Sequence, residues 1–134
     1  MKRVSVSELR KRISSIAERH GISYSLLFGS FVKKTVKKGS DIDIAVKVRN
    51  LRKSDAFNFL KKFVRELGID DVDVVILNFA PFSVAFDALI EGKVLYCKDE
   101  DELIVDKIKV IKLYDDWIHI AKYFEERERR KVIS

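Results

Sequence analysis

Two apolar runs fit to be strands flank a segment that opens on Gly29-Ser30 and closes on Asp41-Ile42-Asp43, and this stretch from Leu26 to Val48 constrains the rest of the chain. A β-strand sends alternate side chains to one face, so Asp41 and Asp43 project together if residues 41 to 48 are extended. Two carboxylates at ~4 Å repel by roughly 4 kcal/mol at an effective dielectric of ~20. A chain keeps such a pair where a cation binds between or beside it, and a hard divalent ion is the natural candidate.

The 134 residues suit a single domain, 1–134, large enough to bury a core of its own. The one cysteine, Cys97, has no partner for a disulfide and no neighbour at metal-site spacing, which points to a reducing compartment, the cytoplasm by default. No apolar run approaches the ~18 residues of a membrane span, so neither secretion nor membrane insertion is expected. The charge of +6 is spread along the chain except for Lys33, Lys34, Lys37 and Lys38, which fall inside the central stretch. That cluster reads as a solvated loop, and a loop beside a triphosphate should also be basic.

In chain order, Val6, Leu9, Ile13, Ile16 and Ala17 recur at helical spacing, with Ser5 and Glu8 placed as a capping box, and Gly21 ends the helix. Ser23 to Phe28 reads as a short buried strand and Asp41 to Val48 as the second. Ser54 is expected to cap a helix with Phe57, Leu60, Phe63, Val64 and Leu67 inward, stopped by Gly68. Val72 to Leu77, containing Asp73, is a β-branched run expected to be a third, central strand. Pro81 opens a helix carrying Phe82, Ala85, Phe86, Leu89 and Ile90 to Gly92, and Lys93 to Tyr96 is a short edge strand. Asp99 and Glu102 cap a long last helix with an apolar stripe of Leu103, Ile104, Ile108, Ile111, Tyr114, Trp117, Ile118, Ala121 and Phe124. That stripe is expected to be mainly core, with part left for a partner or a second copy in a homo- or hetero-oligomer. His20 is read as a helix-end cap, His119 as surface and Cys97 as structural. The fold class is α/β (α+β), a small mixed sheet of three or four strands flanked by helices.

The chemistry converges if the three strands are neighbours. Gly29 lets the backbone approach a ligand, and the following amides with the Ser30 hydroxyl make an anion corner suited to a triphosphate. Asp41 and Asp43 can hold one or two Mg²⁺ ions, and Asp73 would complete a three-carboxylate site and accept a proton from an attacking hydroxyl. Asp71 rivals Asp73 by the two-residue period. Asp73 is preferred because it lies inside the apolar run, whereas Asp70 and Asp71 read equally well as turn residues.

Gly29-Ser30, ten intervening residues, then Asp41-x-Asp43, with Asp73 as third acid, resembles the signature of the DNA polymerase β-like nucleotidyltransferase superfamily. The short chain is similar to the minimal nucleotidyltransferases, the MNT antitoxins of HEPN-domain toxins, over almost its whole length. The resemblance implies the nucleotidyltransferase fold and transfer of AMP from ATP, with Mg²⁺, to a hydroxyl of a partner HEPN toxin, most often a tyrosine. It implies Asp41, Asp43 and Asp73 as catalytic and metal-binding residues, with Gly29, Ser30, Ser40 and Lys33 at the nucleotide. Ser40 matches the family pattern, whereas Lys33-Lys34 stands where many relatives have Arg-Gly; a lysine keeps the charge without the bidentate geometry. Nucleic acid is not required by this reading. The alternatives are an antitoxin that neutralises by direct binding alone, and nucleotidyl transfer to a small molecule or an RNA end.

Overall fold

The computed structural model describes residues 4–29 and 42–133, with side chains through Lys131. The elements are α1 (Val6–Ile16), β1 (Ile22–Phe28), β2 (Ile42–Val48), α2 (Ala56–Leu67), β3 (Val72–Ile76), α3 (Phe82–Phe86), β4 (Lys93–Cys97) and α4 (Glu100–Ile133). Among the described residues four strands form a sheet in the order β3-β2-β1-β4. β1 pairs antiparallel with β2 and β4, and β2 pairs parallel with β3, giving the expected mixed sheet. β1, apolar but for Ser23, Tyr24 and Ser25, is buried at every position because it has strands on both sides and helices above and below.

The two-residue period of the strands divides the core. Ile44, Val46 and Val48 pack with Leu9 and Ile13 of α1 and Phe59 and Phe63 of α2. Tyr24, Leu26, Phe28 and Ala45 point the other way, against Ala88, Leu89, Leu103 and Val110. Burial on both faces, at about 25 cal/mol per Å² of apolar surface, holds the sheet between two helical layers. Ser5 starts α1 as expected, its Oγ accepting the Glu8 N–H at 3.1 Å. Asp99 does the same for α4, its Oδ1 accepting from Glu102 N–H at 3.0 Å.

Several expectations are corrected. β3 is an edge strand, because no further strand joins its outer side among the described residues. Its β-branched composition arises from covering the sheet face, not from a central place. Lys53–Asp55 forms a 3₁₀ turn ahead of α2, so Ser54 does not cap that helix; the Asp55 cap makes no side-chain hydrogen bond. This start sets the phase of α2, which buries Phe59, Phe63 and Leu67 and leaves Phe57 and Val64 exposed. The Pro81 helix is not one α-helix. After α3 the backbone widens into a π turn, Asp87–Glu91, which buries Ala88 and Leu89 and leaves Ile90 exposed; Phe82, at the start of α3, is exposed as well. Gly92 follows where a side chain would overlap the Ala88 carbonyl oxygen. The stripe on α4 is not mainly core: Leu103 is buried, with Val110 buried beside the stripe, whereas Ile104, Ile108, Ile111, Tyr114, Trp117 and Phe124 are exposed. A sheet of this width covers about three turns of helix, and α4 is 34 residues long.

His20 lies beyond the end of α1 and its contact is with α2. Its Nε2 is 2.7 Å from Glu66 Oε2, and its ring stands edge-on to Phe59 and Phe63. His119 is on the surface, 3.5 Å from Asp115 on the same helix. No helix among the described residues is long and apolar enough to cross a membrane.

Candidate functional site

Parallel pairing of β2 and β3 brings two carboxylates together. Asp43 and Asp73 are directly opposite in register, and the ladder runs on through Ile44 with Val74 and Ala45 with Val75. Directly opposed residues share a sheet face. Here it is the face of Ala45 and Val75, which α3 and the first half of α4 cover further along. Asp43 is half-buried and Asp73 exposed, so the pair sits at the open end of that face.

The pairing begins with a hydrogen bond from Ile42 N–H to the Asp71 carbonyl at 2.8 Å. Asp71 makes it from a left-handed backbone, φ 59°, which ends the turn and starts β3 at Val72. The two-residue alternation is broken there, so Asp71 does not share the strand face of Asp73. It is a turn residue, and Asp73 is the acid that faces Asp43.

Gly29 closes the third side. β1 delivers Phe28 opposite Asp43, and Gly29 then turns the chain with φ +81°. A Cβ at Gly29 would overlap Asp43 Oδ2. The backbone therefore touches the carboxylate, which only glycine permits at this position and in this conformation. Ser30, Lys33, Ser40 and Asp41 lie outside the described residues, as do Lys34, Lys37 and Lys38. Of the expected site residues, then, Gly29, Asp43 and Asp73 come together.

Two opposed carboxylates, one held against a glycine backbone, are an oxygen donor set suited to a hard cation such as Mg²⁺. Among the described residues they form no cluster of three His, Cys, Asp or Glu side chains placed to hold a metal. Asp41, which the sequence reading pairs with Asp43, lies outside the described residues.

Behind the site, on the same strand face as Asp43, Lys47 Nζ lies 3.3 Å from Asp106 Oδ2 of α4. The buried Tyr24 hydroxyl donates to that same Oδ2 at 2.7 Å. Burial first, and then the hydrogen bond to Asp106, push the Tyr24 hydroxyl far above the ordinary tyrosine range. At the other end of β2, Asn78 extends the sheet with its side chain: Oδ1 accepts from Val48 N–H at 3.0 Å and Nδ2 donates to Val48 O at 2.7 Å. Neither contact was anticipated from the sequence. Lys47 carried a signal, a charge inside an otherwise apolar strand; Asn78 carried none.

The sequence matches the family described as Polymerase beta, Nucleotidyltransferase over residues 11–101. It is 29% identical over 75 residues to a candidate protein adenylyltransferase of Methanocaldococcus jannaschii, covering 56% of this chain and 81% of that protein. The fold matches a chain in the crystal structure of a toxin-antitoxin with AMP-PNP at a TM-score of 0.68, with 24% identity over 88% of this chain and 96% of the other. It matches a chain of the tri-AMPylated Shewanella oneidensis HEPN toxin in complex with MNT antitoxin at 0.65, with 21% identity over 92% and 98%. At these identities the structural likeness establishes the fold.

Proposed function

Since the chain belongs to the polymerase beta nucleotidyltransferase family, we propose that it is a minimal, single-domain protein adenylyltransferase of the cytoplasm, an antitoxin that moves AMP from ATP onto a tyrosine hydroxyl of a HEPN-domain toxin. The observation that carries this reading is the register of Asp43 against Asp73 beside the Gly29 backbone. The M. jannaschii relative and the toxin-antitoxin structures, one with AMP-PNP and one with an AMPylated toxin, support the choice of nucleotide and acceptor.

In this reading Asp41, Asp43 and Asp73 would hold one or two Mg²⁺ ions, which when bound would supply positive charge to offset that of the phosphate oxygens. The Gly29 backbone lies close to the triphosphate, with the amides and hydroxyl of Ser30, Ser40 and the Lys33 ammonium supplying further contacts. The acceptor oxygen attacks the α-phosphorus, the bond to the β-phosphate oxygen breaks, and pyrophosphate leaves. The hydroxyl proton passes to the Asp73 carboxylate, which being exposed is open to an incoming protein side chain.

Labelled ATP, Mg²⁺ and a HEPN-domain protein from the same source are expected to give a labelled HEPN protein whose adduct maps to tyrosine. Asp43→Asn and Asp73→Asn should each abolish labelling, and chelation of the metal should do the same. Labelling that persists in Asp43→Asn rules the mechanism out. Protection of cells by an Asp43→Asn variant as complete as by the wild type would establish neutralisation by contact instead.

A further inference from the structure

The second half of α4 presents apolar and charged side chains that the fold leaves without partners. Leu113, Trp117, Ile120 and Phe124 recur at the four-three-four spacing of a coiled-coil seam, and each is more than half exposed. Residues 118 to 133 add about 24 Å of helix beyond Trp117 at 1.5 Å per residue. Beside the seam, Phe82, Ser83, Phe86, Asp87, Tyr114 and Trp117 line a groove of about 370 Å³ between α3 and α4. Phe86 and Tyr114 stack at 4.7 Å, and Tyr114 and Trp117 at 6.3 Å, so the walls are aromatic and the charge at the rim is the Asp87 carboxylate. Aromatic faces with a carboxylate beside them suit a guanidinium.

The cations near the end of α4 divide into two sets. Arg129 and Lys131 pair within the helix, with Glu125 and Glu128. Among the described residues Arg127, Arg130, Asp116 and Asp87 have no ion-pair partner in the chain.

We infer that α4 pairs antiparallel with α4 of a second copy of this chain, so that Arg127 of each copy enters the aromatic groove of the other. One twofold register satisfies both sets of groups. With Ile120 across from Phe124 of the second copy, the axis passes at residue 122. The next layer then sets Arg127 of that copy on Trp117, at the groove and its Asp87, and brings Arg130 alongside Asp116. The apolar side chains meet while Arg127, Arg130, Asp116 and Asp87 find opposite charges across the axis, as an isologous interface requires. Leu113, Trp117, Ile120, Tyr123 and Phe124 offer roughly 600 Å² per copy, taking ~150–250 Å² for a large aromatic side chain. Two copies together reach about 1,200 Å², the lower bound for a specific interface, so the dimer is expected to be reversible.

The test is sedimentation equilibrium of the full chain from about 1 to about 200 µM, which brackets the weak end of such interfaces. The wild type should show a monomer–dimer equilibrium. Ile120→Asp should stay monomeric with an unchanged helical circular dichroism signal. Asp116→Arg and Arg130→Asp should each weaken the dimer about tenfold, because two symmetry-related ion pairs become repulsions. Asp116→Arg with Arg130→Asp in one chain should restore it, and this rescue at surface positions does not depend on tolerance of a change at the seam. A wild type that is monomeric throughout, a dimer indifferent to Ile120→Asp, or a double variant no tighter than the single ones overturns the inference. A monomer whose seam instead engages the HEPN protein also overturns it, while leaving the proposed function intact.

Discussion

Replacing Gly29 by alanine tests the packing of the candidate site directly. The substitution has two separable effects. An L-residue held at φ +81° in place of glycine costs about 1–2 kcal/mol. Independently, the new methyl occupies the space of Asp43 Oδ2, and the carboxylate must rotate away from it. A shift of about 1 Å in a positioned group reduces turnover by roughly 100-fold. The strain should lower the melting temperature by about 3–8 °C for a domain of this size, with an additional loss from the displaced side chain. Melting curves and initial rates of labelled AMP transfer measure the two effects on one preparation. Asp43→Ala separates them: in that background Gly29→Ala should cost only the backbone strain, so its destabilisation should be smaller than in the wild type. A Gly29→Ala protein that melts and turns over like the wild type refutes the claim that backbone contact with Asp43 organises the site. An equal penalty in both backgrounds would show that the overlap carries no weight.

Three further expectations concern the scaffold. Asn78→Ala should destabilise by about 1–3 kcal/mol, because Val48 loses partners for both its N–H and its C=O; a urea titration measures this, and a loss below ~0.5 kcal/mol would remove Asn78 from the sheet's support. Tyr24→Phe removes a charge-assisted hydrogen bond to Asp106 while leaving Lys47 in place, and about 1.5–3 kcal/mol should be lost in the same assay, whereas an unchanged midpoint would mean that Lys47 alone ties α4 to β2. Glu66 should make stability acid-sensitive. Its carboxyl is held below the ordinary 4.5 by the hydrogen bond to His20 and the charge of Arg19, with burial opposing them. A depressed carboxyl stabilises the fold above its unfolded value, and that contribution disappears as pH falls through the lower folded value. The melting difference between wild type and Glu66→Gln should therefore shrink on going from about pH 6 to about pH 3, and a constant difference would exclude the linkage.

The part of the candidate site that lies among the described residues, Gly29, Asp43 and Asp73, was legible because it depends on short-range regularities. Strand alternation around Asp43, the β-branched run holding Asp73 and a glycine ahead of a polar segment are local patterns, and the structure joins those three residues. The choice between Asp71 and Asp73 rested on the same logic, and the left-handed φ of Asp71 supplies its geometric cause. The errors fell where a local pattern admits two spatial outcomes. Phe57 and Phe59 are both apolar and two residues apart, and the 3₁₀ turn ahead of α2 decides which of them faces the sheet. Ile90 exchanged places with Ala88 because the π turn shifts the phase of the helix within Asp87–Glu91.

By itself the chain sequence determined which segments become strands and helices, where most of them stop, and that acids stand at the heads of two strands. Those properties follow from backbone preference and side-chain period, which act within a few residues. Only the tertiary structure decided that β3 lies at the edge beside β2, that Asp43 therefore faces Asp73 across a parallel ladder, and that α4 outruns the sheet it covers. Burial is a relation between elements distant in sequence, so one apolar stripe can bury Leu103 against the sheet and leave Trp117 and Phe124 on the surface.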